Sequence, residues 1–324
     1  MLWRMFCVLF VAVSMLILGG CQTNAATGRS QFQFFSRAEE ISLGAQSQPQ
    51  LVQEFGGTVP DQQLQAYVTE IGKRLASVTE ADNPSLPWEF TFLNSDVINA
   101  FALPGGKVFV SRGLVKQMKD ESELAHVLGH EVGHVTARHT NERMGQALGA
   151  QIIAGVAGAA ARNQAIAEVA ANAAQVAVLG FSREQENEAD ALGMRYMTRL
   201  NYDPRGALGV MQILLAASDG PRQPQMLATH PYPEERIKRV QRELDTTYAS
   251  MVNNPQYERH TERFRMRMLS RLAMLPPPPD AVDRTALADG GVVLSSPETW
   301  CGHCRASAAL SELARIENAV AAMY

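Results

Sequence analysis

Residues 124–135 read LAHVLGHEVGHV and contain the pattern His130-Glu131-x-x-His134. In a helix, side chains four apart share a face with Cβ atoms about 5–6 Å apart, so the two imidazoles can reach one metal ion. Glu131, one step round the helix, can reach a water bound to that ion. Zinc hydrolases use this pattern, with two histidines ligating and the glutamate as general base. The helix is predicted on independent grounds. Asp120 followed by Glu123 makes a capping-box pattern, and Leu124, Leu128, Val132 and Val135 form an apolar stripe beside the histidines. Gly129 and Gly133 leave a flat back where another element can approach closely. Arg138 and Arg143 fall towards the C-terminal end, where cations suit the helix dipole. With seven histidines in 324 residues, an accidental H-E-x-x-H is common enough that a third ligand is required.

The candidate for that ligand lies about fifty residues on. Residues 182–197 (SREQENEADALGMRYM) have helical character and place Glu186 and Asp190 on one face. One carboxylate can complete the metal site while the other holds a ligand imidazole by its outer N–H. Alone, this stretch reads as a solvated acidic face; paired with the upstream histidines it reads as the second half of a site. The metzincin pattern, by contrast, fails. It requires Gly three residues and His six residues beyond the second histidine, and Ala137 and Thr140 stand there. His139, one position short, is expected to be structural or to support a ligand from behind.

The rest of the chain supplies context. A composition of 46% hydrophobic and 19% charged residues with a formal net charge of −4 suits a chain with a sizeable core and argues against a nucleic-acid partner. Residues 1–20 carry an early Arg4 and an apolar run ending in Leu18-Gly19-Gly20-Cys21. The run suits a signal peptide better than a membrane span of about 20 residues, and its end resembles a bacterial lipobox. Acylated Cys21 would anchor the protein to a bilayer, and Gln22, not Asp, resembles the signal for outer-membrane sorting. Residues 21–35 then read as a polar tether.

Residues 36–55 begin with a cap-like Ser36 and have helical spacing despite Pro49; a second helix opens at Asp61 with Leu64, Val68, Ile71 and Leu75 on one face. Residues 88–93 and 97–103 read as strands. After a turn at Pro104-Gly105-Gly106, residues 107–111 return as a third. Such a hairpin ahead of the metal helix either only covers the core or offers an edge on which a peptide is held as an added strand. Residues 144–161 are uncharged but rich in Ala and Gly, which favours a helical hairpin continuing through residues 165–178, either a lid or a surface that touches membrane or partner, over a membrane span. Near the C-terminus, residues 263–274 read as a basic, Met-rich helix and residues 276–279 as a stiff proline break. Beyond them Trp300-Cys301-Gly302-His303-Cys304 resembles a thioredoxin-type redox turn. Too little chain follows for that fold, so Cys301 and Cys304 are expected either to form a local disulfide or to react with partners.

H-E-V-G-H-V-T-A-R-H, then S-R-E-Q-E-N-E-A-D-A-L-G, with N-A-F-A-L-P-G-G before the metal helix, together resemble metallopeptidase family forty-eight, over roughly residues 36–245. That family includes the CAAX-processing Ste-type, HtpX-type and mitochondrial Oma-type proteases and periplasmic relatives. The resemblance places the third zinc ligand at Glu186 and the supporting acid at Asp190, and implies quality control of outer-membrane proteins. Thr229-His230-Pro231, with Arg236 following, also resembles a family segment. His230 is expected near the metal, either plugging the water position or aiding the transition-state oxyanion.

The expected fold is therefore α+β and mostly helical, of the zincin type, with a small β-hairpin or sheet forming one wall of the active-site cleft. The expected organisation is a lipoprotein signal peptide over residues 1–20, an acylated cysteine and tether over 21–35, a peptidase domain over 36–245 and an extension over 246–324. The expected activity is zinc-dependent hydrolysis of misfolded or unassembled periplasmic and outer-membrane proteins. One Zn²⁺ per chain sits on His130, His134 and Glu186, with Glu131 as general base. The expected location is the cell envelope, lipid-anchored and facing the periplasm. Two rival readings are a non-proteolytic, chaperone-like lipoprotein and a thiol–disulfide partner acting through Cys301 and Cys304. Casein cleavage that survives Cys→Ser changes at 301 and 304 but is lost in Glu131→Gln is the expected result and discriminates the peptidase from both rivals.

Overall fold

The computed structural model describes residues 21–81, 83–146, 180–218, 225–231 and 233–278. The leader, most of the Gly/Ala-rich stretch and the Cys301–Cys304 turn lie outside these residues.

The chain starts with a small antiparallel hairpin, β1 (Cys21–Thr23) and β2 (Ser30–Phe32), in which Cys21 pairs with Phe32. Residues 21–35 were expected as a tether; they are folded onto the body instead. The cause is a pair of buried amides. Asn24 donates to the Thr136 carbonyl at 2.9 Å and Gln31 to the Ala137 carbonyl at 2.8 Å. These carbonyls end the helix that carries the H-E-x-x-H pattern and would otherwise be unpaired. Nearby, the Asn141 side-chain oxygen accepts from the amides of Phe34 and Phe35.

Helix α1 (Arg37–Glu54) opens with a capping box between Ser36 and Glu39 and tolerates Pro49 within it. Asp61 caps α2 (Gln62–Ser77) by accepting from Gln63 and Leu64, and the expected stripe of Leu64, Val68, Ile71 and Leu75 is buried. A three-stranded sheet follows, in the order β3 (Glu89–Leu93), β5 (Lys107–Ser111), β4 (Ala100–Leu103), with β3 parallel and β4 antiparallel to β5. The expected hairpin is present but its first strand starts three residues late. There the Ser111 hydroxyl donates to the Val97 carbonyl at 2.5 Å and accepts from the Asn99 amide at 3.1 Å, while the Ser111 amide still donates to the Asn99 carbonyl at 3.0 Å, so side-chain bonds take over only part of the ladder.

Helix α3 (Glu121–Thr136) carries the histidines and starts at Asp120, which accepts from the Glu123 amide. Its end turns at Ala137 and Arg138, and helix resumes over residues 139–146. Then come α4 (Arg183–Arg199), capped by a Ser182–Gln185 box, α5 (Arg205–Ser218) and α6 (Pro233–Asp245). Leu64, Phe92, Val108, Leu124, Leu128 and Tyr196 belong to one core shared by the sheet, α2, α3 and α4. Among the described residues no helix is long and apolar enough to cross a membrane.

The expected boundary at 245/246 does not coincide with a break in packing. Residues 261–272 form helix with one π turn, and Phe264, Met268 and Leu272 are buried in the same core. The Arg259 carbonyl accepts from the amides of Glu121 and Ser122, at the start of α3. Glu121 is the buried hub of this junction. It accepts from the Tyr67 hydroxyl, from Tyr202 at 2.6 Å and from Arg263 at 2.7 and 2.5 Å. Burial alone would raise its pKa, but the Arg263 and tyrosine donors outweigh that and hold it below the usual carboxylate range. A carboxyl whose folded pKa is depressed contributes stability that is complete above its unfolded value, about 4.3, and is lost as pH falls. Glu121→Ala is expected to cost roughly 2–5 kcal/mol at pH 7, since two buried hydroxyls lose their acceptor. In urea unfolding the gap to the unsubstituted protein should shrink at pH 4; an equal gap at both pH values would contradict the assignment.

Candidate metal centre

The site exists because α3 and α4 approach closely at glycines. Gly129 faces Gly193 across the crossing, and a Cβ added to Gly193 would lie 2.9 Å from the His130 amide nitrogen. Gly133 likewise sits against Ala189 and Leu192. With no side chains between the backbones, the acidic face of α4 reaches the histidine face of α3.

His130, His134, Glu186 and His230 form one buried group of donors. The His130 and His134 Nε2 atoms are 3.0 Å apart. Glu186 oxygens lie 3.6 Å from the first and 3.4 Å from the second. His230 Nδ1 lies 3.3 Å from His130 Nε2 and 2.9 Å from Glu186 Oε1. Ligands bonded to zinc at about 2.0–2.1 Å in a tetrahedron are separated by roughly 3.3 Å, so these separations fit a tetrahedral ion.

The charges fit as well. Burial pushes the Glu131 carboxyl up, and neither of its oxygens has a hydrogen-bond partner among the described residues, although it is only 1% exposed. Burial would raise Glu186 too, but the charges of His230 and Arg236 outweigh it and hold Glu186 well below the usual range. His230 is raised, because Glu186 and Glu131 overcome its burial. Burial drives His134 well below its ordinary value, keeping it in the neutral form that ligates metals. Three buried carboxylates, Glu131, Glu186 and Asp190, thus face one permanent cation, Arg236, and the excess negative charge is one that a divalent cation would offset.

The structure brings the sequence-predicted residues together. Asp190 accepts from His130 Nδ1 at 2.9 Å, and Glu131 Oε1 stands 3.6 Å from His230 Nε2. His139, read only as a supporting residue, meets His134 Nδ1 at 2.9 Å. Several neighbours had no role assigned from sequence. Arg236 grips Asp190 at 2.8 and 2.6 Å and pairs with Glu186 at 2.7 Å; its position after the His230 segment was the available signal. Phe181 stacks on the His134 ring at 3.9 Å between centroids, and the Arg143 guanidinium lies over the Phe181 ring, 4.3 Å from its centroid; nothing in the spacing of a lone aromatic announces this. His126, one turn ahead of His130, is buried with no hydrogen bond to either ring nitrogen among the described residues and Asp190 3.8 Å from its Nε2, and burial takes its pKa to about 3. Strand β4 packs beside α3. By alternation along the antiparallel register from the bonded Asn99–Ser111 pair, the backbone groups of Ala100 and Ala102 point away from β5.

The description peptidase family M48 belongs to the family model that matches residues 62–244. The chain is similar to the beta-barrel assembly-enhancing protease of Escherichia coli (strain K12), 32% identical over 219 residues, covering 62% of this chain and 44% of that one. It is also similar to the corresponding protease of Yersinia pestis, 34% identical over 187 residues, covering 55% of this chain and 38% of that one. A third relative is the mitochondrial metalloendopeptidase OMA1 of Schizosaccharomyces pombe, 32% identical over 177 residues, covering 54% and 51%. The chain spans about half the length of these relatives or less.

Replacing Arg236 with Met is expected to destabilise the metal-free protein by roughly 3–5 kcal/mol, because two buried carboxylates lose their counter-charge. Thermal unfolding in chelator should show a larger loss than unfolding in excess zinc; equal losses would mean that no cation shares the compensation.

Proposed function

We propose, for a chain that belongs to peptidase family M48, that this centre is the active site of a zinc metalloendopeptidase. The observation carrying the proposal is the tetrahedral spacing of His130, His134, Glu186 and His230, with Glu131 buried and unpartnered beside them. His130, His134 and Glu186 would hold one Zn²⁺. Bound there, zinc would lower the pKa of a water to about 7 and polarise a scissile carbonyl. Glu131, with its basicity raised by burial, is suited to take a proton from the attacking water and deliver it to the leaving amine. Asp190, locked by Arg236, keeps the His130 ring turned towards the other donors.

An extended peptide laid along β4, the outer strand of the sheet, would pair with the backbone groups of Ala100 and Ala102 that point away from β5, once the cover that buries these residues is displaced. Recognition through backbone groups tolerates many sequences, as suits misfolded or unassembled proteins. Outer-membrane and periplasmic clients are proposed on the similarity to the beta-barrel assembly-enhancing proteases. The lipobox-like Leu18-Gly19-Gly20-Cys21 supports a lipid anchor facing the periplasm.

One observation favours a second reading, a chaperone-like protein held inactive. His230 takes the fourth donor position, and the whole group is buried. Under the peptidase reading this is a plug. His230→Ala is then expected to raise kcat several-fold on casein and on an unfolded β-barrel client, with zinc staying at one per chain. A clear fall in kcat would assign His230 to the oxyanion. Absence of cleavage by both proteins at full zinc content would favour the chaperone.

A further inference from the structure

The two imidazoles proposed as zinc ligands are supported in different ways. His130 Nδ1 meets a carboxylate directly, at Asp190. His134 Nδ1 instead meets another imidazole, His139 Nδ1, at 2.9 Å. His139 Nε2 in turn lies 3.0 Å from Glu188 Oε2. Arg29 donates to both Glu188 oxygens, at 3.0 and 3.2 Å, and to both Glu142 oxygens, at 2.8 Å each. His139 is fully buried, whereas the Arg29 side chain is 36% exposed. The line of bonds therefore runs from the surface of the N-terminal hairpin to the metal centre.

Tautomer chemistry gives this line a direction. An imidazole that ligates through Nε2 carries its proton on Nδ1. His134 Nδ1–H can donate to His139 Nδ1 only if that nitrogen keeps its lone pair, which puts the His139 proton on Nε2. A proton on Nε2 needs an acceptor, and Glu188 is the acceptor. Arg29, fixed by Glu142, turns the Glu188 carboxylate to receive it. An arginine thus locks the carboxylate behind each ligand: Arg236 for Asp190, and Arg29 for Glu188.

We propose that Arg29 and Glu188 are positioning residues of the metal centre, acting through His139 to hold His134 with Nδ1 protonated and its Nε2 lone pair aimed at the other donors. The proposal rests on His134 being a metal ligand. It makes the hairpin just after Cys21 part of the metal site, although Arg29 touches neither metal nor substrate.

The test uses the full chain in metal-free form, titrated with zinc against a chelator of known affinity. Long-range nitrogen NMR of the histidine rings is recorded alongside. Loss of such outer support typically weakens metal binding about tenfold to a hundredfold. Glu188→Gln is expected to fall in that range and to shift the His139 proton from Nε2 towards Nδ1. Arg29→Ala should weaken binding by a smaller factor. Adding Arg29→Ala to Glu188→Gln should produce no further loss, since one acts through the other. If Glu188→Gln does not fold, Arg29→Ala and Arg29→Lys carry the test, because Arg29 is at the surface; Lys should restore only part of the affinity. Affinity within twofold of the unsubstituted protein in folded Glu188→Gln or Arg29→Ala, or an unchanged His139 tautomer, would overturn the proposal even if the melting temperature fell. His134→Ala is the control. Unchanged zinc binding in that variant would bring down the metal-centre reading itself.

Discussion

Everything in the site depends on how closely two helices can cross. The backbones of α3 and α4 meet where Gly129 faces Gly193, and only that proximity brings a carboxylate on α4 within 3.6 Å of an imidazole on α3. Without the glycines the helices would stand apart by the thickness of a side chain, and donors about 3–4 Å apart would become too distant to share one ion. The approach has a consequence for charge. It buries Glu131, Glu186 and Asp190 together, away from water, where an uncompensated carboxylate costs several kcal/mol.

The surrounding structure is organised to offset that cost. Arg236 enters from α6 and spans Asp190 and Glu186, while His230 is drawn towards its charged form by Glu186 and Glu131. Glu131 receives neither kind of help through a hydrogen bond, and its carboxyl is correspondingly pushed up. The same low-dielectric surroundings therefore produce two kinds of carboxylate: Glu186, held in its anionic form by His230 and Arg236, and Glu131, made more basic by burial.

The ends of α3 are tied down by segments outside the matched region. The hairpin at residues 21–32 caps its last carbonyls through Asn24 and Gln31, and the Arg259 carbonyl receives its first amides. A helix held at both termini has little freedom to slide or fray. Its histidines are then presented in a fixed orientation, as the proposed metal site requires.

Local periodicity and capping chemistry were legible in the chain. Ser36, Asp61, Asp120 and Ser182 all start helices where expected, the stripe from Leu64 to Leu75 is buried, and the strand pair around Pro104-Gly105-Gly106 forms. These follow from interactions between residues a few positions apart, which sequence encodes directly. His130, Glu131 and His134 were legible for the same reason, being on one turn of one helix. Tertiary structure alone decided the parallel pairing of β3 with β5, the folding of residues 21–35, and the packing of residues 261–272 into the core. It also decided the partners Arg236, Phe181, Glu188 and Arg29. Each joins residues dozens to more than a hundred positions apart, and no local pattern specifies such a pairing. Only the closing of the core, with buried amides and charges needing partners wherever the chain can supply them, selects it.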